Sequence, residues 1–312
     1  MAEVAIIIGN GFDLDMGLPS KYSDFIESPE WKAVVKKVEI FLADDSYRNH
    51  SLIAQLQSAS KDSLWFDIEE EIHQFVAAHT KNTTQELEEI KNEFGLIRES
   101  LAKYLKRISQ NRIEDYKRLS FQLLSQLQNC PLRISEIFFN YTNPAEFMPK
   151  SMFYEHCTFT YVHGSLRNND IVLGCDLQDG EEVNRQLSFM YKYNQLNRAN
   201  HVARSILEAK EIIFFGHSLN EMDFGYFREF FKVASASPNP IRHLTIITFD
   251  ENSERDIKDN MRNQGINVSD LYSNLWTFSV IHTKNVYDGD MDEIKAWKDL
   301  IARLLAKDRK GI

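Results

Sequence analysis

Cysteine is scarce. Cys130, Cys157 and Cys175 are the whole supply in 312 residues, an odd number at wide spacings with no Cys-x-x-Cys pair. That pattern excludes a disulfide framework and a zinc ribbon and fits a reducing compartment. Long apolar runs are missing too: nothing approaches the ~18 residues a membrane helix needs. The four-residue run Ala5 to Ile8, behind Glu3, has neither the positive flank nor the length of a secretion signal. A cytoplasmic protein without membrane contact is expected. Positive charge is in deficit, with 36 Lys and Arg against 46 Asp and Glu, a net charge of −10. A general grip on nucleic-acid backbones or anionic lipid is therefore excluded, although a local basic groove is not. Glycine and proline almost vanish between Ser28 and Asn129.

What is present reads as a folded protein: 43% hydrophobic and 26% charged residues, long enough for two ordinary domains or one large α/β domain with an insertion. Val4 to Ile8 is a β-branched run stopped by Gly9-Asn10-Gly11, as in a buried parallel strand before a sharp turn. Helical periodicity follows, over Phe66 to Ala78, Thr83 to Ile108 and Ile113 to Leu127. Beyond Pro131, short β-rich runs appear at Ile134–Asn140, Thr158–His163, Ile171–Gly174, Glu211–Gly216, His243–Asp250 and Thr277–His282. Helical segments at Asn220–Ala234, Ser253–Asn263 and Met291–Leu305 alternate with them. The expectation is an α/β, Rossmann-like, mainly parallel sheet with helices on both faces, built from residues 1–28 and 130–312, with an all-helical insertion at 29–129.

Four constellations carry chemistry. Gly9-Asn10-Gly11-Phe12-Asp13 follows the first strand, where glycines let a backbone approach a ligand and exposed N–H groups can hold phosphate; Leu14 stands where a third glycine would complete Gly-x-Gly-x-x-Gly. A tight turn without ligand reads equally well. Asn140 ends the run Ile134 to Phe139, at the carboxyl edge of the sheet where α/β proteins bind ligands, or else serves as a turn former. His163 ends the next run, before Gly164; a neutral imidazole there would take a proton from water or a ribose hydroxyl, or would be structural. Gly216-His217-Ser218-Leu219-Asn220, with Asp223 behind it, is a second strand-to-helix turn able to hold a phosphate.

That last turn also imitates the nucleophile elbow Gly-x-Ser-x-Gly, with Asn220 in place of the final glycine. Ser218, Asp250 and His282 then stand in hydrolase order, a rival reading that leaves Gly9 to Pro19 without a role. Glu70 and His73 have the spacing used in di-iron bundles, but without a second copy they read as a solvated acidic face, from which Trp65 and Glu69 could reach the cleft. No metal is expected. The tail Lys307 to Lys310 reads as a frayed helix end.

Ile8-Gly9-Asn10-Gly11-Phe12-Asp13-Leu14 with Gly17-Leu18-Pro19-Ser20, Tyr22 and Phe25 resembles the opening of the AbiH family of bacterial abortive-infection proteins. Phe139-Asn140-Tyr141-Thr142, His163-Gly164-Ser165 and Phe215-Gly216-His217-Ser218-Leu219 with Asp223 continue the resemblance in order, and the Trp65 to Glu69 cluster is similar as well. The resemblance implies defence against phage. A more distant similarity, to sirtuin-like NAD-binding proteins, runs through Gly9, Gly11, Gly17 to Pro19, Asn140, His163-Gly164 and Gly216 with Ser218. It implies that the glycines Gly9, Gly11, Gly17 and Gly216 bind the NAD pyrophosphate, that Asn140 holds the ribose or attacking water, and that His163 is the general base; Asn10, Phe12, Asp13, Ser218 and Asp223 are expected to complete the binding site. Hydrolysis to nicotinamide and ADP-ribose would follow, with Asp13 or Asp15 steadying the cationic ribose. Ser20-Lys21-Tyr22 and Thr142 depart from the sirtuin pattern, and the four-cysteine zinc module is absent, which disfavours protein deacylation. The non-catalytic alternative is a nucleotide sensor whose occupancy repositions the helical insertion. A phage-derived trigger, a partner protein and a homo-oligomer are the other partners compatible with either reading.

Overall fold

The computed structural model describes residues 3–62, 66–110, 115–142, 157–177, 180–195 and 201–306, so Trp65 and the Lys307–Lys310 tail lie outside the described residues. Its strands are β1 (Val4–Ile8), β2 (Ile134–Phe138), β3 (Cys157–Tyr161), β4 (Glu211–Phe215), β5 (Asn239–Thr248) and β6 (Leu275–His282). They form one sheet in the order β3-β2-β1-β4-β5-β6, every pair parallel. This is the doubly wound order in which the winding reverses at β1 and β4, and the crevice beyond their carboxyl ends is where such folds receive ligands.

Alternation along β1 explains its place at the centre. Ala5 and Ile7 face one apolar layer, with Val202 and Ile206 of helix Val202–Glu208 and Phe230 and Phe231 of helix Arg228–Ala236. Val4, Ile6 and Ile8 face the other, with Leu123 and Leu127 of helix Leu119–Leu127 and Leu300 and Leu304 of helix Met291–Leu305. Both faces are covered, so the strand reads as continuous apolar sequence. Burying each such large side chain contributes roughly 1.5–3 kcal/mol.

Between β1 and β2 the described elements are helices. Pro29–Val38, Leu52–Asp62, Ile68–Ala78 and Thr84–Ile108 build a separate apolar cluster, whereas Leu119–Leu127 packs on the sheet. Tyr141, Ile171, Leu173 and Met190 join the helical cluster, so these described residues beyond the ends of β2 and β3 lie against those helices. This corrects two expectations. Ile171–Gly174 is not a strand: Ile171 and Leu173 are buried among helices, and among the described residues the one isolated bridge joins Cys175 to Tyr191. The segment Asn220–Ala234 is two helices, Glu221–Phe224 and Arg228–Ala236, and the break lets Phe227 pack edge-on against Phe214 at 5.1 Å. Among the described residues no helix is long and apolar enough to cross a membrane.

Candidate active site

Strand register decides which residues meet. Ile8 pairs with Phe138 and Phe215, and Phe138 with Tyr161. Two residues further along each chain stand Asn10, Asn140, His217 and His163. Parallel pairing thus brings four residues, dispersed over two hundred positions, to one edge of the sheet.

At the β1–β4 junction the glycines touch each other. Gly9 N–H donates to the Phe215 carbonyl at 3.0 Å, Gly11 N–H to the Gly216 carbonyl at 2.9 Å, and Phe12 N–H to the Gly9 carbonyl at 3.0 Å. A Cβ on Gly11 would stand 2.6 Å from the Cα of Gly216, and one on Gly216, whose φ is +64°, 2.3 Å from the nitrogen of Phe12. Glycine is required here for backbone-on-backbone packing. The expected phosphate cradle needs correction, because the N–H groups of Gly9 and Gly11 are already bonded within the protein. The Phe12 side chain is core, packed edge-on against Phe215 at 5.1 Å. Gly17 is exposed with φ +83° and closes the short Asn10–Asp15 helix. Asn10 is exposed, its Oδ1 accepting from the Ser20 hydroxyl at 2.5 Å.

Beside this junction the end of β2 meets Asp13. Asn140 Nδ2 donates to Asp13 Oδ1 at 2.8 Å and to Thr142 Oγ1 at 3.0 Å, and the Thr142 hydroxyl donates to Asp13 Oδ2 at 2.5 Å. Burial pushes the Asp13 carboxyl up to about 7, against the opposing pull of the Thr142 and Asn140 hydrogen bonds. Asn140 is 5% exposed, and its Oδ1 is buried without a partner among the described residues. An unpaired buried carbonyl costs roughly 1–3 kcal/mol, so it marks a place where a donor belongs. Asp15 is different: it accepts from Ser120 N–H at 2.8 Å, the Ser120 hydroxyl at 2.6 Å and the Tyr287 hydroxyl at 2.5 Å. It anchors helix Leu119–Leu127, whereas Asp13 lies beside the unpaired Asn140 Oδ1 at the end of β2 and is the candidate to steady a ribose cation.

The third group surrounds Asp223. His163 Nε2 lies 3.0 Å from Asp223 Oδ1, Lys192 Nζ 3.6 Å from the same oxygen, and His217 Nε2 3.8 Å from Oδ2. Burial would raise the Asp223 carboxyl, but the charges of Lys192 and His163 outweigh it and hold the group well below the usual carboxylate range. Asp223 therefore sits buried beside the Lys192 ammonium and two imidazoles, not at a ligand surface as expected. Burial pushes His217 down to about 4, so it is neutral, and its Nδ1 accepts the Leu219 N–H at 3.0 Å. That bond accompanies φ +51° at the buried Leu219, a left-handed conformation costing roughly 1–2 kcal/mol. With Nε2–H given to Asp223, His163 keeps a lone pair on Nδ1, which has no hydrogen-bond partner among the described residues. A carboxylate-oriented imidazole of this kind can take a proton from water.

Glu69 completes the network from helix Ile68–Ala78: its Oε2 pairs with Lys192 Nζ at 2.7 Å and its Oε1 lies 3.2 Å from the Tyr141 hydroxyl. Sequence reading missed Lys192 and Tyr141 as site residues. Lys192 lies in a stretch with no motif, and Tyr141, although part of the quoted string, looked like the residue after the useful one. Contacts link everything: a Cβ on Gly9 would stand 2.6 Å from His217 Cα, His217 faces Asp223, Asp223 holds His163, and Phe139 packs edge-on against both His163 at 5.5 Å and His217 at 4.6 Å.

The hydrolase rival is corrected by the same geometry. His282 has both ring nitrogens engaged, Nδ1 with Glu293 at 2.6 Å and Nε2 with Glu254 at 2.8 Å. Asp250 caps helix Glu251–Asn263 through Ser253, and Ser218 is exposed. His282 thus has no nitrogen left to activate Ser218, and Ser218 is exposed, unlike the buried groups with which it was expected to bind a ligand. Glu70 is exposed and bonds Gln74, His73 pairs with Glu181 at 2.9 Å, and the described residues contain no group of three potential metal ligands.

Fold and site together define an α/β protein of the doubly wound kind with a buried acid, amide and imidazole at its switch point. Residues 5–242 match the bacteriophage abortive infection AbiH family, and the chain belongs to that family. No protein of curated function matches it. A role in abortive defence against bacteriophage follows from the family.

Proposed function

We propose that the protein binds NAD or a related nucleotide beyond the carboxyl ends of β1, β2 and β4 and, when triggered, hydrolyses its N-glycosidic bond. The observation that carries this reading is the unpaired Oδ1 of buried Asn140, fixed by Asp13 and Thr142 beside the His163–Asp223 pair. An acceptor with no donor suits a ribose hydroxyl or a water molecule, not an ionised phosphate oxygen. In the reaction the bond from ribose C1′ to nicotinamide breaks and its electron pair neutralises the pyridinium nitrogen. Water adds to the cationic C1′ and loses its proton to His163. Asp13 lends negative charge to that cation when ionised, and orientation supplies much of the remainder.

Asp13, Asn140 and His163 are all buried, at 1%, 5% and 4% exposure. At these exposures the reading requires the site to open when the protein is triggered. The test is release of free nicotinamide from NAD by the purified protein, with and without lysate from infected cells, alongside Asn140→Ala and His163→Ala. Release that is lost in both variants is expected. Undiminished release in His163→Ala removes the assigned base, and NAD binding without release in either condition replaces hydrolysis by sensing.

A further inference from the structure

Lys192 belongs to no motif and takes no part in the chemistry just described, yet it is 4% exposed and carries a charge. Removing an ammonium group from water costs several kcal/mol unless partners compensate. Burial alone would favour the neutral amine; Asp223, Glu69 and Asp176 outweigh it and hold the lysine well above its ordinary value. Its carboxylates come from separate parts of the chain. Asp223 follows β4, and Glu69 lies in helix Ile68–Ala78. The backbone of Lys192 is pinned as well, its N–H donating to the Cys175 carbonyl at 2.9 Å.

The decisive contact is shared. Asp223 Oδ1, at 3.0 Å from His163 Nε2, is also the atom 3.6 Å from Lys192 Nζ. The charged and titratable groups facing Asp223 are His163, Lys192, His217, Asp176 and Tyr226, and Lys192 faces Asp223, Glu69, Asp176 and Tyr141 together with Asp67, Cys175, His217 and Tyr226. Without the ammonium, the buried Asp223 carboxylate would have Asp176, Tyr226 and two imidazoles around it, and of these only an imidazole can take a proton to become the compensating cation. His163 is the closer. A His163 already carrying two protons cannot accept another from water.

We propose that Lys192 is a positioning residue that neutralises Asp223 and so keeps His163 able to act as a base, and that Glu69, through Lys192, makes this arrangement depend on the docking of helix Ile68–Ala78. The base role rests on the reading in the preceding subsection. The test therefore pairs turnover with a readout that needs no substrate: nitrogen-15 imidazole spectra of His163 at neutral pH. Lys192→Met is expected to move His163 from the one-proton to the two-proton pattern and to lower kcat for nicotinamide release about 100-fold, the lower end of a general base's contribution, with KM little changed. Lys192→Arg should restore the one-proton pattern and most of kcat. Glu69→Gln should give an intermediate loss.

A folded Lys192→Met protein with an unchanged His163 spectrum overturns the proposal, whatever its turnover. If that variant does not fold, Lys192→Met combined with Glu69→Gln removes both charges and is judged by the same spectrum. Should the wild-type protein release no nicotinamide under any condition, the hydrolytic reading falls; the spectrum of Lys192→Met still supports or overturns the role of Lys192.

Discussion

At the junction of β1 and β4 the polar groups are backbone, and they are spent on one another: Gly9 and Gly11 donate to Phe215 and Gly216, and no side chain separates the two turns. One strand across, at the ends of β2 and β3, the polar groups are side chains, and the account does not close. Asn140 keeps an unpaired acceptor, Asp13 holds its proton to about 7, and Asp223 gathers a lysine and two histidines in the interior. The first region is built like a joint, where each group satisfies another and substitution should cost stability. The second carries unmet polar capacity and buried charge, which a protein selected for stability alone would replace with packed hydrocarbon.

The largest expected effect breaks the joint. Gly11→Ala or Gly216→Ala drives a methyl into backbone atoms 2.3–2.6 Å away, and should cost roughly 3 kcal/mol or more, seen as loss of folded protein in thermal melts. Gly17→Ala meets nothing within 4 Å and suffers only its left-handed backbone, so it should lose about 1–2 kcal/mol. Equal losses at the three glycines would deny that the joint is special.

Next comes Asp13. Its folded-state value near 7 lies above the 3.8 of an ordinary aspartate, so the native state holds the proton longer than the unfolded chain. Stability should therefore fall as pH rises from about 4 to about 7, by on the order of 2–4 kcal/mol. Melting temperature followed against pH should show that slope in the wild type and lose it in Asp13→Asn; a parallel slope in the variant assigns it elsewhere. His282 acts in a neighbouring window. Glu293 and Glu254 raise it despite burial, so its contribution is full below about 6.5 and is lost as pH climbs through the raised value. Asp13→Asn should keep that later decline, and His282→Gln should remove it.

Asp15→Ala and Asn140→Ala sharpen the contrast between anchoring and function. Asp15 satisfies an amide and two hydroxyls, and its loss should cost about 2–3 kcal/mol in denaturant titrations. Asn140→Ala also deletes an unsatisfied acceptor, so its stability should stay within about 1 kcal/mol of wild type. The smallest effect belongs to Ser218→Ala: an exposed position should change stability by less than about 0.5 kcal/mol and leave nicotinamide release intact.

The alternation of apolar runs with helical periodicity made the parallel sheet legible, because a strand covered on both faces must be apolar throughout, as β1 is. Ile171–Gly174 misled for the same reason: burial against helices selects the same residue types as burial in a sheet. Asn140 and His163 were legible as polar residues closing apolar runs, and Glu69 as one within reach of the cleft. Lys192 was not, since nothing local distinguishes a lysine that will be buried from one that stays in water.

Composition and periodicity by themselves determined the class of fold and the helical run between the first two strands, because these depend on local spacing, while short motifs in order along the chain carried the family resemblance. Tertiary structure decided what each polar residue does. Whether a glycine amide is free or bonded, whether Asp15 anchors a helix while Asp13 is joined to Asn140, and whether Lys192 meets Asp223 all depend on which distant segments the sheet register brings within hydrogen-bond reach.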